Sequence, residues 1–338
     1  DPADAKVALL ERLTRLYPEP GAKGIVAQSG SDAVSAALKT AKLATGKPGV
    51  LAFSGAYHGL GYGPLAACGL RESYRAPFAA HLGAPVTFAP YPGLDGDGGG
   101  AASLDASLGA VEAALRVGDV AAVLVEPILG RGGCVVPPAG FLSELHALAH
   151  RHGALVIVDE VWTGLGRSGS MVRAVDDGVP AQALDLICFG KGLGGGLPIS
   201  ACVGPEAIMR SWARQAPVVP PPRTRAGRSA APPPWPRWMR CARVPCRARA
   251  TLGARWRAEL AGALSGKAGV RAVRGEGLMI GIELAQPAQG LRAARAMLER
   301  GWLLLGGGRR GETLTLTPAL TIDERLLEGA VAALAEVV

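Results

Sequence analysis

No apolar run in this 338-residue chain comes near the roughly 18 residues that a membrane-spanning helix needs; stretches such as VAAVLV and ALVIV reach only six and five residues. A transmembrane helix is excluded on that ground, and no membrane partner is expected. The chain does not open on a charged stretch followed by an apolar core. Its six cysteines (68, 134, 188, 202, 241 and 246) show neither paired C-x-x-C spacing nor a histidine cluster. Secretion and a zinc site both lack support, so no metal is expected and a reducing cytoplasm is the expected compartment. The composition, 49% hydrophobic and rich in alanine, suffices for a full core in one large domain or in a large and a small one.

Acidic residues are missing between Glu206 and Glu259, where twelve arginines stand. Without those twelve, 24 basic residues face 28 acidic ones, so the formal charge of +8 belongs to one segment. A basic face spread over the fold, as nucleic-acid binding requires, is therefore not expected.

Residues 5–16 (AKVALLERLTRL) have helical apolar spacing. Gly-Ile-Val-Ala (24–27) leads into Ser29-Gly30-Ser31, after which Val34, Ala37, Leu38 and Ala41 recur at helix spacing until Thr45-Gly46. VLAF (50–53) and PVTFA (85–89) read as strands, with Tyr57-His58-Gly59 in the loop after the first. VAAVLVEP (120–127), ALVIVDEV (154–161) and ALDLICFGK (183–191) are continuous apolar strands, with helical FLSELHALAHRHG between the first two. Strands this apolar are buried on both faces, which implies a parallel sheet with helical crossovers. Each ends in a charge: Glu126, Asp159 and Lys191, separated by 33 and 32 residues, about one βαβ unit each. The three side chains are thus expected at one carboxyl edge, where open α/β sheets bind ligands.

Residues 217–250 hold nine prolines and no apolar periodicity, so an irregular segment is expected there. Beyond it, TLGARWRAELAGAL, LRAARAMLERG and DERLLEGAVAALAEVV read as helices and VRGEGLMIGIEL as turn and strand. The expected organisation is a large domain over 1–216, the aberrant segment 217–250, and a smaller C-terminal α/β domain over 251–338.

A lysine at the end of a buried strand, with glycines around it, loses hydration and becomes an amine nucleophile toward a carbonyl. Pyridoxal 5'-phosphate fits the other residues. Asp159 can keep a pyridine nitrogen protonated, so that the ring acts as an electron sink. Ser29, Gly30 and Ser31 at a helix start offer backbone N–H groups to a phosphate, and Tyr57 can stack on the ring.

The segments VAQSGSDAVSAALKTAKLATGK, FSGAYHGLGYG, VAAVLVEPILGRGGCVVPPAGFLSELHALAHRHGALVIVDEVWTGLGRSG and DLICFGKGLGGGLPISACVG, with RGEGLMIGIEL and LTLTPALTI further on, resemble the class III (subgroup II) aminotransferases. These are fold-type I enzymes that include the ornithine, acetylornithine and 4-aminobutyrate aminotransferases. The resemblance implies a Schiff-base role for Lys191, a pyridinium partner in Asp159 and a phosphate-binding pair in Gly30 and Ser31. It also implies Tyr57 and Val161 on the two faces of the ring, Glu126 near it, and His58 and Trp162 within the cofactor set. The implied activity is transamination between an amine or amino-acid donor and an oxo-acid acceptor, in a homodimer. An aminomutase or racemase on the same fold, or a non-catalytic remnant, are the other expectations.

Departures from the pattern are specific. Arg131 stands where several relatives carry the glutamate of a GE pair, and Thr315 stands at the position of that glutamate's arginine partner. Trp162 takes the place of a glutamine found in many relatives. The chain also begins late by comparison, without an N-terminal segment that relatives carry. His146, His150 and His152, on or just after one helix, lack the HExxH pattern and are expected to be solvated. Segment 217–250 replaces an HTxTFxGNP-like motif and reads as a frameshift. WPRWMRCA read one base earlier becomes LATLDALR, an amphipathic helix, and out-of-frame GC-rich codons yield arginine and proline. Sequencing the codons for 215–252 is expected to reveal the shift; one undisturbed frame shared with close relatives would refute it.

Overall fold

The structure, a computed structural model, describes residues 4–95, 100–214 and 246–338. The frameshift reading and all but the last residues of segment 217–250 lie outside them.

Seven strands form the main sheet: β1 (Lys23–Ala27), β2 (Gly49–Phe53), β3 (Val86–Ala89), β4 (Val120–Val125), β5 (Leu155–Asp159), β6 (Leu186–Phe189) and β7 (Ser200–Gly204). Their order is β1-β7-β6-β5-β4-β2-β3. The pairs β3–β2, β2–β4, β4–β5 and β5–β6 are parallel, and only β7 runs against its neighbours β6 and β1. Strands β2, β4, β6 and β7 are buried at every position, which is the physical reason for their unbroken apolar sequence. One core, with Leu13, Phe53, Phe141 and Leu145, covers one face beneath helices Asp4–Thr14, Leu104–Leu115 and Phe141–Arg151. The other face carries helix Gly30–Thr45 through Val34, Ala37 and Ala41.

Parallel pairing sets Val125 beside Val158 and Asp159 beside Cys188. Glu126, one residue past β4, and Lys191, two past β6, therefore reach the edge where Asp159 ends β5, as their spacing predicts.

The second sheet, β10-β11-β9-β8, is antiparallel: β8 (Val270–Glu276), β9 (Met279–Leu284), β10 (Leu305–Gly307) and β11 (Thr313–Leu316). Trp256, Leu260, Ile282, Leu314 and Leu334 pack its core with helices Cys246–Ala263, Gln289–Glu299 and Glu324–Val337. VRGEGLMIGIEL is a hairpin of two strands, its corner turned by Gly277 at φ 54°. Helix Cys246–Ala263 begins inside the segment that its composition marks as irregular. Prolines stop at Pro245, and the run CRARA that follows is built of alanine and arginine, strong helix formers.

The solvated placement expected for the helix histidines is corrected for His146 and holds for His150. His146 is fully buried, its Nδ1 2.7 Å from the Leu142 carbonyl, and burial lowers its pKa to about 4. His150 is exposed, with Nε2 2.8 Å from the Asp185 carboxylate, a bond that raises its pKa. The periodicity of FLSELHALAHR turns the 146 position toward the core, and the i, i+4 spacing alone does not show it.

The second sheet is clamped to the first unit through hydrogen bonds of the Arg167 backbone and side chain. Leu278 N donates to Arg167 O at 3.0 Å, and Arg167 Nη1 donates back to Leu278 O at 3.0 Å. A Cβ on Gly253 would overlap the Gly277 carbonyl, so helix Cys246–Ala263 lies directly on the hairpin corner. Gly253→Ala is expected to destabilise the protein by about 1–3 kcal/mol, because backbone on both sides must move apart. Urea unfolding followed by circular dichroism checks this, with Gly262→Ala, in open space on the same helix, as the control that shows only the helix-propensity gain of up to about 1 kcal/mol.

Candidate active site

Helix Gly30–Thr45 starts at the carboxyl edge because Ser29 caps it. Ser29 Oγ accepts from Asp32 N at 3.2 Å, and the Asp32 carboxylate accepts from Ser29 N at 3.1 Å, a reciprocal capping box. The Ser29 side chain is thereby spent on the cap. The backbone N–H groups of Gly30 and Ser31 have no acceptor among the described residues and point out of the helix N-terminus, where an anion is favoured. Ser31 Oγ accepts from Gly61 N at 2.9 Å, which leaves its own proton free to donate. Val161 fills the space that a Cβ at Gly30 would take, approaching it to 2.8 Å, so only glycine lets strand edge and helix start meet this closely.

Three carboxyl groups are buried at this edge, and each is held by donors. Glu126 accepts from Tyr57 N at 2.8 Å through Oε1 and from Gly130 N at 3.0 Å through Oε2. Burial raises its pKa, with the nearby Asp159 carboxylate adding to the rise. Bonds to a charged acceptor contribute about 1.5–3 kcal/mol each, so Glu126 fixes the loops after β2 and β4 to one another. Asp159 accepts from Val161 N at 3.1 Å through Oδ1, and its Oδ2 lies 2.8 Å from His58 Nδ1. His58 is fully buried, and its Nε2 has no partner among the described residues. Glu160 accepts from Ala174 N at 3.0 Å and from the Thr163 hydroxyl, and burial pushes its pKa up to about 7.

Lys191 opens a short 3-10 turn, Lys191–Gly194, and its φ of 39° places it in the left-handed region, a conformation costing a lysine about 1–2 kcal/mol. The residue is exposed to the cleft, yet protein crowds its amine. Lost hydration lowers the amine's pKa; Asp159 and Glu126 oppose this, and Arg131 and Arg167 reinforce it. Its Nζ lies 4.3 Å from the centre of the Trp162 ring, whose face rests on Gly130, where a Cβ would overlap it. Tyr57 meets Tyr74 edge-to-face at 6.1 Å and carries the Arg131 guanidinium 5.2 Å from its ring centre.

Ser29, Gly30, Ser31, Tyr57, His58, Glu126, Asp159, Val161, Trp162 and Lys191 thus all come from the loops at one carboxyl edge. Sequence reasoning missed the His58–Asp159 pair, whose residues are 101 positions apart and which no local pattern encodes. It also missed the Glu126 clamp and the Lys191–Trp162 contact. Cys134 lies beside Trp162, but burial pushes its thiol up to about 12, which keeps it protonated and unreactive. A separate cleft of about 400 Å³, lined by Pro138, Phe141, Arg173 and Glu276, contains none of these residues.

A mostly parallel sheet with an amine, a buried acid–histidine pair and an open helix start on its carboxyl edge defines the fold-type I class of pyridoxal-phosphate enzymes. The class-III aminotransferase model matches residues 2–217, and the chain belongs to that family. The match ends where the proline- and arginine-rich segment begins. Acetylornithine aminotransferase of Mycobacterium tuberculosis is 34% identical over 339 residues, covering 97% of this chain and 75% of the relative. 4-Aminobutyrate aminotransferase of the same organism is 34% identical over 233 residues, 62% of this chain and 49% of the relative. The chain thus spans about half the length of that relative. An amine transaminase from an uncultivated Pseudomonas species superposes with a TM-score of 0.82 at 26% identity, over 100% of this chain and 81% of the other.

Glu160 makes stability pH-dependent in a defined sense. Its folded pKa of about 7 lies above the ordinary 4.5, so the folded state binds more protons between those values and stability falls as pH rises through them. The loss attributable to this group is at most on the order of 3 kcal/mol. The difference in unfolding free energy between wild type and Glu160→Gln is expected to move against the wild type from pH 4.5 to 7.5, as urea titrations at several pH values would record.

Proposed function

We propose that the chain is a pyridoxal-phosphate-dependent aminotransferase that moves an amino group from an amine or ω-amino-acid donor to an oxo-acid acceptor. The observation that carries this reading is the dehydrated Lys191 amine at the same sheet edge as the buried Asp159–His58 pair and the open N-terminus of helix Gly30–Thr45.

The residues present fit the cofactor. Free N–H groups at Gly30 and Ser31, with the Ser31 hydroxyl, suit a phosphate, and the buried Asp159 carboxylate suits a protonated ring nitrogen. When bound, pyridoxal phosphate supplies a carbonyl that takes up amines and an aromatic ring that accepts an electron pair. Lys191 would hold it through Nζ. The neutral fraction of that amine is enlarged by its lowered pKa, which lets it act as nucleophile and then as the base that takes the proton from the substrate carbon bearing nitrogen. Asp159 is kept in place by Val161 N and His58, so it can stabilise positive charge without reorganising. Glu126 holds the backbone of Tyr57 and Gly130, and with it both walls of the cleft. Trp162 screens the Lys191 amine from water on one side.

The same reading takes 1–216 as the cofactor-binding domain and 251–338 as the smaller one, and expects a homodimer in the cytoplasm. Among the described residues no helix is long and apolar enough to cross a membrane, and Cys68, Cys134, Cys188, Cys202 and Cys246 are free.

Purified protein mixed with pyridoxal phosphate is expected to develop a visible absorption band that Lys191→Ala lacks, and the variant should transaminate at least about 10³-fold more slowly. Identical spectra for the two proteins would overturn the reading.

A further inference from the structure

Arg131 sits on the rim of the cleft, and no carboxylate pairs with it among the described residues. Arg173, by contrast, has Asp177 and Glu276, and Arg274 has Glu283. The Arg131 guanidinium rests on the Tyr57 ring at 5.2 Å, with Nη2 3.5 Å from the Tyr74 hydroxyl, the outer limit of a hydrogen bond. A cation over a half-buried tyrosine such as Tyr57 contributes about 0.5–2 kcal/mol, less than a paired carboxylate would. The head is therefore oriented but loosely held, and most of its five N–H donors are free to take an anion.

Its backbone, in contrast, is fixed. The Arg131 carbonyl accepts from Gly308 N at 2.9 Å, and the preceding Gly130 N is tied to Glu126. Gly130 also packs on the Trp162 ring, whose surface carries the Lys191 amine. A fork of donors on a rigid backbone, one residue from the wall that holds the reactive amine, is the arrangement that carboxylate recognition requires. The field of Arg131 reaches that amine, since it is one of the cations that lower the Lys191 pKa.

We propose that Arg131 binds the carboxylate of the substrate, and that the chain acts on amino and oxo acids with a carboxylate away from the reacting carbon in preference to simple amines. This rests on the reading of the chain as an aminotransferase. The fork leaves the Tyr57 face, takes both carboxylate oxygens, and gains the Tyr74 hydroxyl as a further donor. Arg71 remains on the Gly308 carbonyl at 3.1 Å and adds positive potential without contact.

Glutarate, an unreactive dicarboxylate, is titrated calorimetrically into cofactor-loaded wild type, Arg131→Gln, Arg131→Lys and Tyr74→Phe, with thermal unfolding confirming that each is folded. Glutarate affinity is expected to drop about 10- to 100-fold in Arg131→Gln, less in Arg131→Lys, and only a few-fold in Tyr74→Phe. The ratio of the rates at which 4-aminobutyrate and n-butylamine bleach the visible band should fall in the same order. Equal glutarate affinity in wild type and Arg131→Gln, or no glutarate binding by wild type, overturns the proposal. Should Arg131→Gln fail to fold, the Arg131→Lys and Tyr74→Phe series decides it, and an unchanged affinity in both overturns it. A wild type with no visible band refutes the aminotransferase reading, while the glutarate titration on that protein still decides Arg131.

Discussion

Parallel pairing between β4, β5 and β6 is the constraint from which the site follows. Because Val125 pairs with Val158 and Asp159 with Cys188, the acid of one strand end, the acid of the next and the amine after the third come to one edge. Side chains alternate faces along a strand, so a slip of one residue would send Val123, Val125, Ile187 and Phe189 into the core that holds Ala122, Leu124, Leu186 and Cys188, and the reverse, as well as misplace the acids. Two cores of different shape on the two faces oppose that slip, and core packing and site assembly are one requirement.

Burying Glu126, Asp159 and Glu160 together is costly unless donors surround each. The chain meets the demand almost wholly with backbone N–H groups from the loops that the strands deliver: Tyr57, Gly130, Val161 and Ala174. Those acceptors in turn fix the loops, which is why the cleft walls are set before any ligand arrives. The left-handed Lys191 belongs to the same economy of position. Its strain is small beside the packing of β6 and of Leu193, which is fully buried in the main core.

Much of this was legible in the sequence, because apolar runs of the length of VAAVLV and LVIVD admit few structures and the charges closing them are conspicuous. The strand edge, the helix start at Gly30 and the arrival of Glu126, Asp159 and Lys191 at one edge follow from period and spacing, whereas His58, Val161 and Trp162 enter only through the family resemblance. What one dimension hides is pairing across distance. His58 meets Asp159 only because the loop after β2 folds over the end of β5. His146 turns inward because it shares the buried face of helix Phe141–Arg151 with Leu142, Leu145 and Ala149, a matter of packing that residue type does not announce. The hairpin in VRGEGLMIGIEL was hidden by its glycines, which break the apolar alternation at the corner they turn.

Trp162 has a consequence of a different kind. Trp256 is sealed in the second core, but the Trp162 indole lies against the reactive amine at 4.3 Å. An ammonium beside an indole perturbs its excited state, and an absorbing ring seated nearby drains it by energy transfer. Trp162 is therefore an optical gauge within the cleft: its share of the emission, one tryptophan among six, is the share that the charge of Lys191 and a chromophore beside it would change.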